Sequence, residues 1–146
     1  MAVLVSRYNE LVTARLLEGA RECFRDKGVP EARVDVIWVP GAFELPVAAE
    51  AAAASGRYAA LVALGCVVRG ETAHFEYVAG EATRGLGNVA LAHRLPVGFG
   101  VLTTDTLEQA LARAGGAAGN KGYEALDAAL STADVLGQLT RAAPRD

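Results

Sequence analysis

The chain has 146 residues, 52% of them hydrophobic, with 14 Lys or Arg against 17 Asp or Glu and a formal net charge of −3. That length suits one domain, residues 1–146, whose core buries roughly two-thirds of the unfolded surface; the apolar surplus points to subunit contacts. There is no basic cluster, no apolar run near the roughly 18 residues of a membrane helix and no signal-peptide pattern, so the chain is expected to be cytoplasmic, with small-molecule substrates and neither nucleic acid nor membrane as partner.

In chain order, residues 2–5 form a short apolar strand, left by Ser6-Arg7-Tyr8-Asn9, with Asn9 as the N-cap of a helix reaching about Lys27. Leu16, Leu17, Ala20, Cys23 and Phe24 recur at helical spacing as its buried stripe, and Gly28-Val29-Pro30 stops it. Residues 34–39 are rich in β-branched side chains and read as a strand covered on both faces. After Pro40-Gly41, the stretch Ala42-Phe43-Glu44-Leu45-Pro46 leads into an Ala-rich helix closed by Ser55-Gly56.

Residues 59–65 form a third buried strand. The stretch 63–78 is the centre of the reading: an apolar run stops at Arg69-Gly70, and Glu71-Thr72 opens a helix with His74 in its first turn. A helix start leaves amides without intrahelical partners and attracts anions, and a histidine beside it can exchange protons near neutrality. This helix continues to about His93, with an interruption expected near Gly85-Leu86-Gly87. Residues 96–102 form the fourth strand, Thr104-Asp105 caps a short helix, Gly115-Gly116 breaks it, and a last amphipathic helix covers about 120–140 before a frayed tail, 142–146.

Strand and helix alternate four times, so the expected fold is α/β: a three-layer, flavodoxin-like parallel sheet of about four strands flanked by helices. Ligand sites in such folds gather at the carboxyl ends of strands. Ser6 to Asn9, Gly41 to Glu44, Cys66 to His74 and the turn after Leu102 all leave such ends.

His74 is thereby a candidate proton carrier rather than an ordinary surface histidine, whereas His93 is expected to face its helix carboxyl terminus or solvent. Tyr8 and Phe43 offer flat rings at strand ends, though such rings also plug cores. Glu44 suits a polyol, or is a solvated helix-start carboxylate. Arg113 and Lys121 flank the flexible Ala-Gly-Gly-Ala-Ala-Gly-Asn stretch and suit a phosphate, or are solvated charges. Cys23 and Cys66 are expected as reduced, buried thiols. There is no Walker loop, no G-x-G-x-x-G after a strand, no G-x-S-x-G elbow and no metal-ligand spacing.

Ser-Arg-Tyr-Asn at 6–9, Pro-Gly-Ala-Phe-Glu-Leu-Pro at 40–46, Arg-Gly-Glu-Thr-Ala-His-Phe-Glu-Tyr-Val at 69–78, Phe-Gly-Val-Leu-Thr-Thr at 99–104 and Arg-Ala-Gly…Gly-Asn-Lys-Gly at 113–122 together resemble the 6,7-dimethyl-8-ribityllumazine synthase family over nearly the whole chain. The resemblance implies condensation of 5-amino-6-(D-ribitylamino)uracil with 3,4-dihydroxy-2-butanone 4-phosphate, with no cofactor and no metal. It implies that Tyr8 stacks on the pyrimidine, that Ala42, Phe43 and Glu44 hold ring edge and ribityl chain, and that Cys66, Val67 and Val68 present backbone groups. It also implies that Glu71, Thr72 and Arg113 serve the phosphate, beside which Lys121 is a further candidate, and that His74 shuttles protons.

By the same resemblance, Phe99 lines the pyrimidine pocket, and Phe99 and Arg113 both reach into a site shared between neighbours in a homopentamer. In some members of the family the pentamers also close into an icosahedral shell, with riboflavin synthase as a further partner. The chain departs from the family in starting almost at the first core strand, without the leading segment that adds a strand to a neighbour, in Ala117 where Lys is common, and in Tyr8 where Phe or Trp is usual. The competing readings are a flavin- or lumazine-binding module without turnover and a purely structural cage protein.

Overall fold

The computed structural model describes residues 1–141; the tail expected to fray lies outside them. Four strands, β1 (Ala2–Ser6), β2 (Asp35–Val39), β3 (Leu61–Val68) and β4 (Val97–Thr104), form one sheet in the order β2-β1-β3-β4, and every neighbouring pair is parallel. The connecting helices are α1 (Glu10–Lys27), α2 (Leu45–Ala54), α3 (His74–His93) and α4 (Leu107–Ala112), followed by α5 (Lys121–Arg141). This is the three-layer α/β arrangement expected of a flavodoxin-like chain.

Period-two alternation divides the strand side chains between two cores. Val3, Val5, Val62, Leu64 and Leu102 point to the α1, α4 and α5 side, where they meet Leu16, Phe24, Ala110 and Leu126. Leu4, Leu61, Ala63 and Val101 point to the α2 and α3 side, against Leu45, Ala49, Leu86 and Val89. Each fully buried Leu or Val contributes about 1.5–3 kcal/mol relative to exposure. The expected α1 stripe lies inside the first core. α5 approaches α1 so closely that a Cβ on Gly122 would overlap the Leu16 carbonyl.

Several expectations are corrected. Residues 34–39 are not a strand covered on both faces: β2 is a sheet edge on which Asp35 and Ile37 are exposed, because the crossovers leave it with a single neighbour. α3 runs uninterrupted through Gly85 and Gly87. A Cβ on Gly85 would stand 2.6 Å from the Pro46 Cβ, so the glycine that costs about 1 kcal/mol of helix propensity is what lets α2 approach α3. α3 opens at His74, not at Glu71-Thr72, which lie in the preceding bend.

The short helix α4 is capped by Thr106 in a reciprocal capping box with Gln109, not by Thr104-Asp105. Thr104 is the buried last residue of β4, and its hydroxyl donates to the Thr106 carbonyl. The Gly-rich stretch after Arg113 is an antiparallel ribbon of β5 (Ala114–Gly116) and β6 (Gly119–Asn120), with Gly115 and Gly119 at positive φ. The Lys121 N–H donates to the Arg113 carbonyl at 2.8 Å, so the ribbon is held at both ends instead of hanging free. His93 bonds through Nε2 to the Glu50 carboxylate on α2, at 2.9 Å to each oxygen, rather than facing its helix end or solvent.

Candidate active site

Because the four strands are parallel, their carboxyl ends share one side of the molecule, and the strand order reverses between β1 and β3, the point at which open α/β sheets form a ligand crevice. The residues after β1 bind the neighbouring exits. The Arg7 N–H donates to the Val39 carbonyl at 2.8 Å and the Tyr8 N–H to the Pro40 carbonyl at 3.0 Å. The Tyr8 ring, with nothing packed over it, is 74% exposed.

Beyond β2, Ala42–Glu44 forms a single 3₁₀ turn that leads directly into α2. Ala42 is buried beneath it, Phe43 projects at 60% exposure and Glu44 is half-buried, its carboxylate folded back toward Gly41. Tyr8 and Phe43 are thus two uncovered rings on neighbouring strand exits, and neither plugs a core.

On β3, Cys66 is buried while Val67 and Val68 are half-buried. Both cysteines are free thiols, as expected. Burial pushes the Cys66 thiol up to about 11, so it is neutral and no nucleophile at physiological pH; what this strand end offers is backbone. After Val68 come Arg69 and Gly70, then the bend that holds Glu71 and Thr72, both exposed. Thr72 Oγ1 accepts the His74 N–H at 3.4 Å, taking up one amide of the helix start. His74 is exposed at the first position of α3, six residues after the end of β3.

Arg69 fixes this bend. Its N–H donates to the Thr104 carbonyl, its guanidinium lies 2.8 Å from Asp105 and 3.4 Å from Glu76, and it covers the Phe75 ring at 4.5 Å from the centroid. A cavity of about 300 Å³ opens here, lined by Arg69, Phe75, Thr103, Thr104, Asp105, Gln109 and Arg113. Arg113, whose Nη1 donates to the Gln109 carbonyl, therefore stands beside the residue that follows His74. Arg113 and Lys121 also line a second cavity of about 340 Å³ with Thr103 and Ala118. The two basic residues are brought together at the end of β4.

Phe99 is not part of this gathering. It shares a row with Ala63 and Leu4, well before the strand ends, on the open edge of β4. There it lines an apolar groove of about 690 Å³ between α3 and α5 that includes Leu91, Leu95, Ala128, Leu136 and Lys121. This groove has volume but few polar groups, whereas the candidate site residues lie at the strand ends.

Sequence reasoning missed Asn9 and Arg69. Asn9 reads as a helix cap, yet its side chain makes no cap bond and reaches Cys66 instead. No sequence signal links residues so far apart. Among the described residues no group of His, Cys, Asp and Glu has the geometry of a metal site, and no helix is long and apolar enough to cross a membrane. A family model described as 6,7-dimethyl-8-ribityllumazine synthase matches residues 1–137.

Proposed function

The chain belongs to the 6,7-dimethyl-8-ribityllumazine synthase family, transferases of riboflavin biosynthesis, and from that premise we propose that it condenses 5-amino-6-(D-ribitylamino)uracil with 3,4-dihydroxy-2-butanone 4-phosphate, releasing phosphate and water, without a cofactor. What supports this reading is that the segments carrying Tyr8, Ala42–Glu44, Cys66–Val68 and His74 all follow strand carboxyl ends on one side of the sheet, next to the point where the strand order reverses.

In this reading the Tyr8 ring stacks on the pyrimidine, with Phe43 beside it, while the Cys66, Val67 and Val68 backbone takes the donor and acceptor groups on the heterocycle edge. Ala42 and Glu44 hold the ring edge and ribityl chain; a half-buried carboxylate is a strong acceptor for hydroxyls. The phosphate lies against Glu71 and Thr72 in the bend, neutralised by Arg113 reaching in from an adjacent copy of the chain and by Lys121 beside it.

Amine attack on the ketone, loss of water, departure of phosphate and ring closure each move protons, and His74, an imidazole at the helix start after the β3 exit, carries them. Much of the acceleration comes from holding two substrates together, since fixing reactants in attack geometry removes a large entropic part of the barrier.

Assembly belongs to the same proposal. The chain forms a homopentamer in which Phe99 and Arg113 complete a neighbour's site, and pentamers close further into an icosahedral shell that can hold riboflavin synthase. The displacement of Phe99 onto the open β4 edge, inside an apolar groove flanked by the 82% exposed Leu91, supports a neighbour seated there. The test is to mix the purified protein with both substrates and follow lumazine fluorescence. Product formation is expected; riboflavin binding without product would replace this reading with that of a binding module.

A further inference from the structure

The ladder between β1 and β3 ends at Val5 and Leu64, yet β3 runs on to Val68, where among the described residues β4 alone pairs with it. Backbone groups turn to alternate sides along a strand. The Arg69 N–H turns to Thr104 on the β4 side, so the groups of Cys66 and Val68 turn to the side that β1 has left. Asn9 fills the first of these two positions: its Nδ2 donates to the Cys66 carbonyl at 2.9 Å.

The backbone at Asn9 is arranged for this reach. It has φ 62° and ψ 45°, left-handed values that Asn adopts more readily than most residues. An Asn before a helix ordinarily caps it, but here the side chain makes no cap bond, and the first turn of α1 is started by the Asn9 carbonyl, which accepts the Val12 and Thr13 N–H groups. With Arg7 and Tyr8 bonded to the β2 exit, the short segment 7–9 ties three strand ends together and carries the exposed Tyr8 ring between them.

We infer that Asn9 is a positioning residue of this site: its amide closes the last rung beside Cys66 and thereby sets the gap between the Tyr8 ring and the free backbone groups of Val68. A flat heterocycle enters that gap with its face toward Tyr8 and its donor–acceptor edge toward β3. The inference deepens the proposed function and rests on the crevice being the pyrimidine site.

Two variants separate the amide from the backbone. Asn9→Gly accepts positive φ without strain and removes the amide; Asn9→Asp keeps the shape and sets an acceptor against the Cys66 carbonyl. Amide hydrogen exchange is measured on the unliganded protein, and KM for each substrate is measured separately. In both variants exchange across 66–68 should rise while α1 and α5 stay protected. The KM for the pyrimidine substrate should rise about tenfold, the equivalent of one lost hydrogen bond, with that for the phosphate substrate changing less than about twofold.

Parental exchange and parental pyrimidine KM in both variants would overturn the inference, as would equal rises in both KM values or failure of both variants to fold, each of which assigns Asn9 to the fold alone. If the parent protein makes no lumazine, the functional reading fails by itself, and the exchange measurement still decides whether Asn9 holds the β3 end.

Discussion

The guanidinium of Arg69 lies 2.8 Å from the Asp105 carboxylate, joining the exit of β3 to the exit of β4, and it also contacts Phe75 and Glu76 in the first turn of α3, next to His74. Both side chains are solvent-exposed, and exposed ion pairs contribute little to global stability. The consequence is local. Arg69→Met keeps the stem over Phe75 but releases Asp105 and Glu76; kcat is expected to fall by about threefold to tenfold as the His74 bend loosens, a misplacement effect, while Tm stays close to that of the parent. A large drop in Tm with unchanged kcat would make the network a purely structural one.

His74→Ala should slow turnover by about 10²-fold, the lower end of what general acid–base groups supply, without abolishing it, because substrate positioning is retained. The rate of lumazine appearance at saturating substrates checks this. An unchanged rate removes His74 from the mechanism.

Arg113→Ala should act mainly on KM for the phosphate substrate, raising it by about tenfold or more, because a charge-assisted contact made throughout the reaction contributes to binding in ground and transition states alike. Steady-state kinetics with the phosphate substrate varied is the measurement. A fall confined to kcat would assign Arg113 to the chemical steps instead.

Cys66 makes the fold sensitive to alkali. Burial raises its thiol from an ordinary value of 9.0 to about 11, so between those values the native protein keeps a proton that the unfolded chain has released. Stability is therefore full below pH 9 and declines as pH rises toward 11. Tyr123, held up to about 12 by its hydrogen bond to Asp26, extends the decline. Urea midpoints should fall from pH 9 to pH 11, and less steeply in Cys66→Ala. At neutral pH the native thiol should resist disulfide reagents that label it after unfolding.

Much of the fold is legible in local pattern. The Leu16, Leu17, Ala20, Cys23 and Phe24 stripe, Gly28 as a stop with positive φ, and the apolar third strand each follow from rules acting over a few residues. What failed, besides the exact starts of α3 and α4, were statements about partners. Covering β2 on both faces requires knowing which strands flank it, and breaking α3 at Gly85 requires not knowing that Pro46 stands against that glycine.

The candidate site divides along the same line. Tyr8, Phe43, Glu44 and His74 are identifiable because each falls next to a strand end or helix start that the sequence marks by its own composition. Asn9 and Arg69 are not, because their importance lies in contacts with Cys66, Asp105 and Glu76, which sit on other elements.

The sequence by itself determined that strands and helices alternate, that candidate site residues leave the strand carboxyl ends, and which family the motifs resemble, since side-chain periodicity and turn chemistry are local properties. Only the tertiary structure decided which exits adjoin, that Arg113 comes to the cavity beside Phe75 while Phe99 stays on the open edge of β4, and that the Asn9 amide completes the rung beside Cys66. Those relations depend on strand order and on packing between distant segments, and strand order is set by the summed burial of two cores.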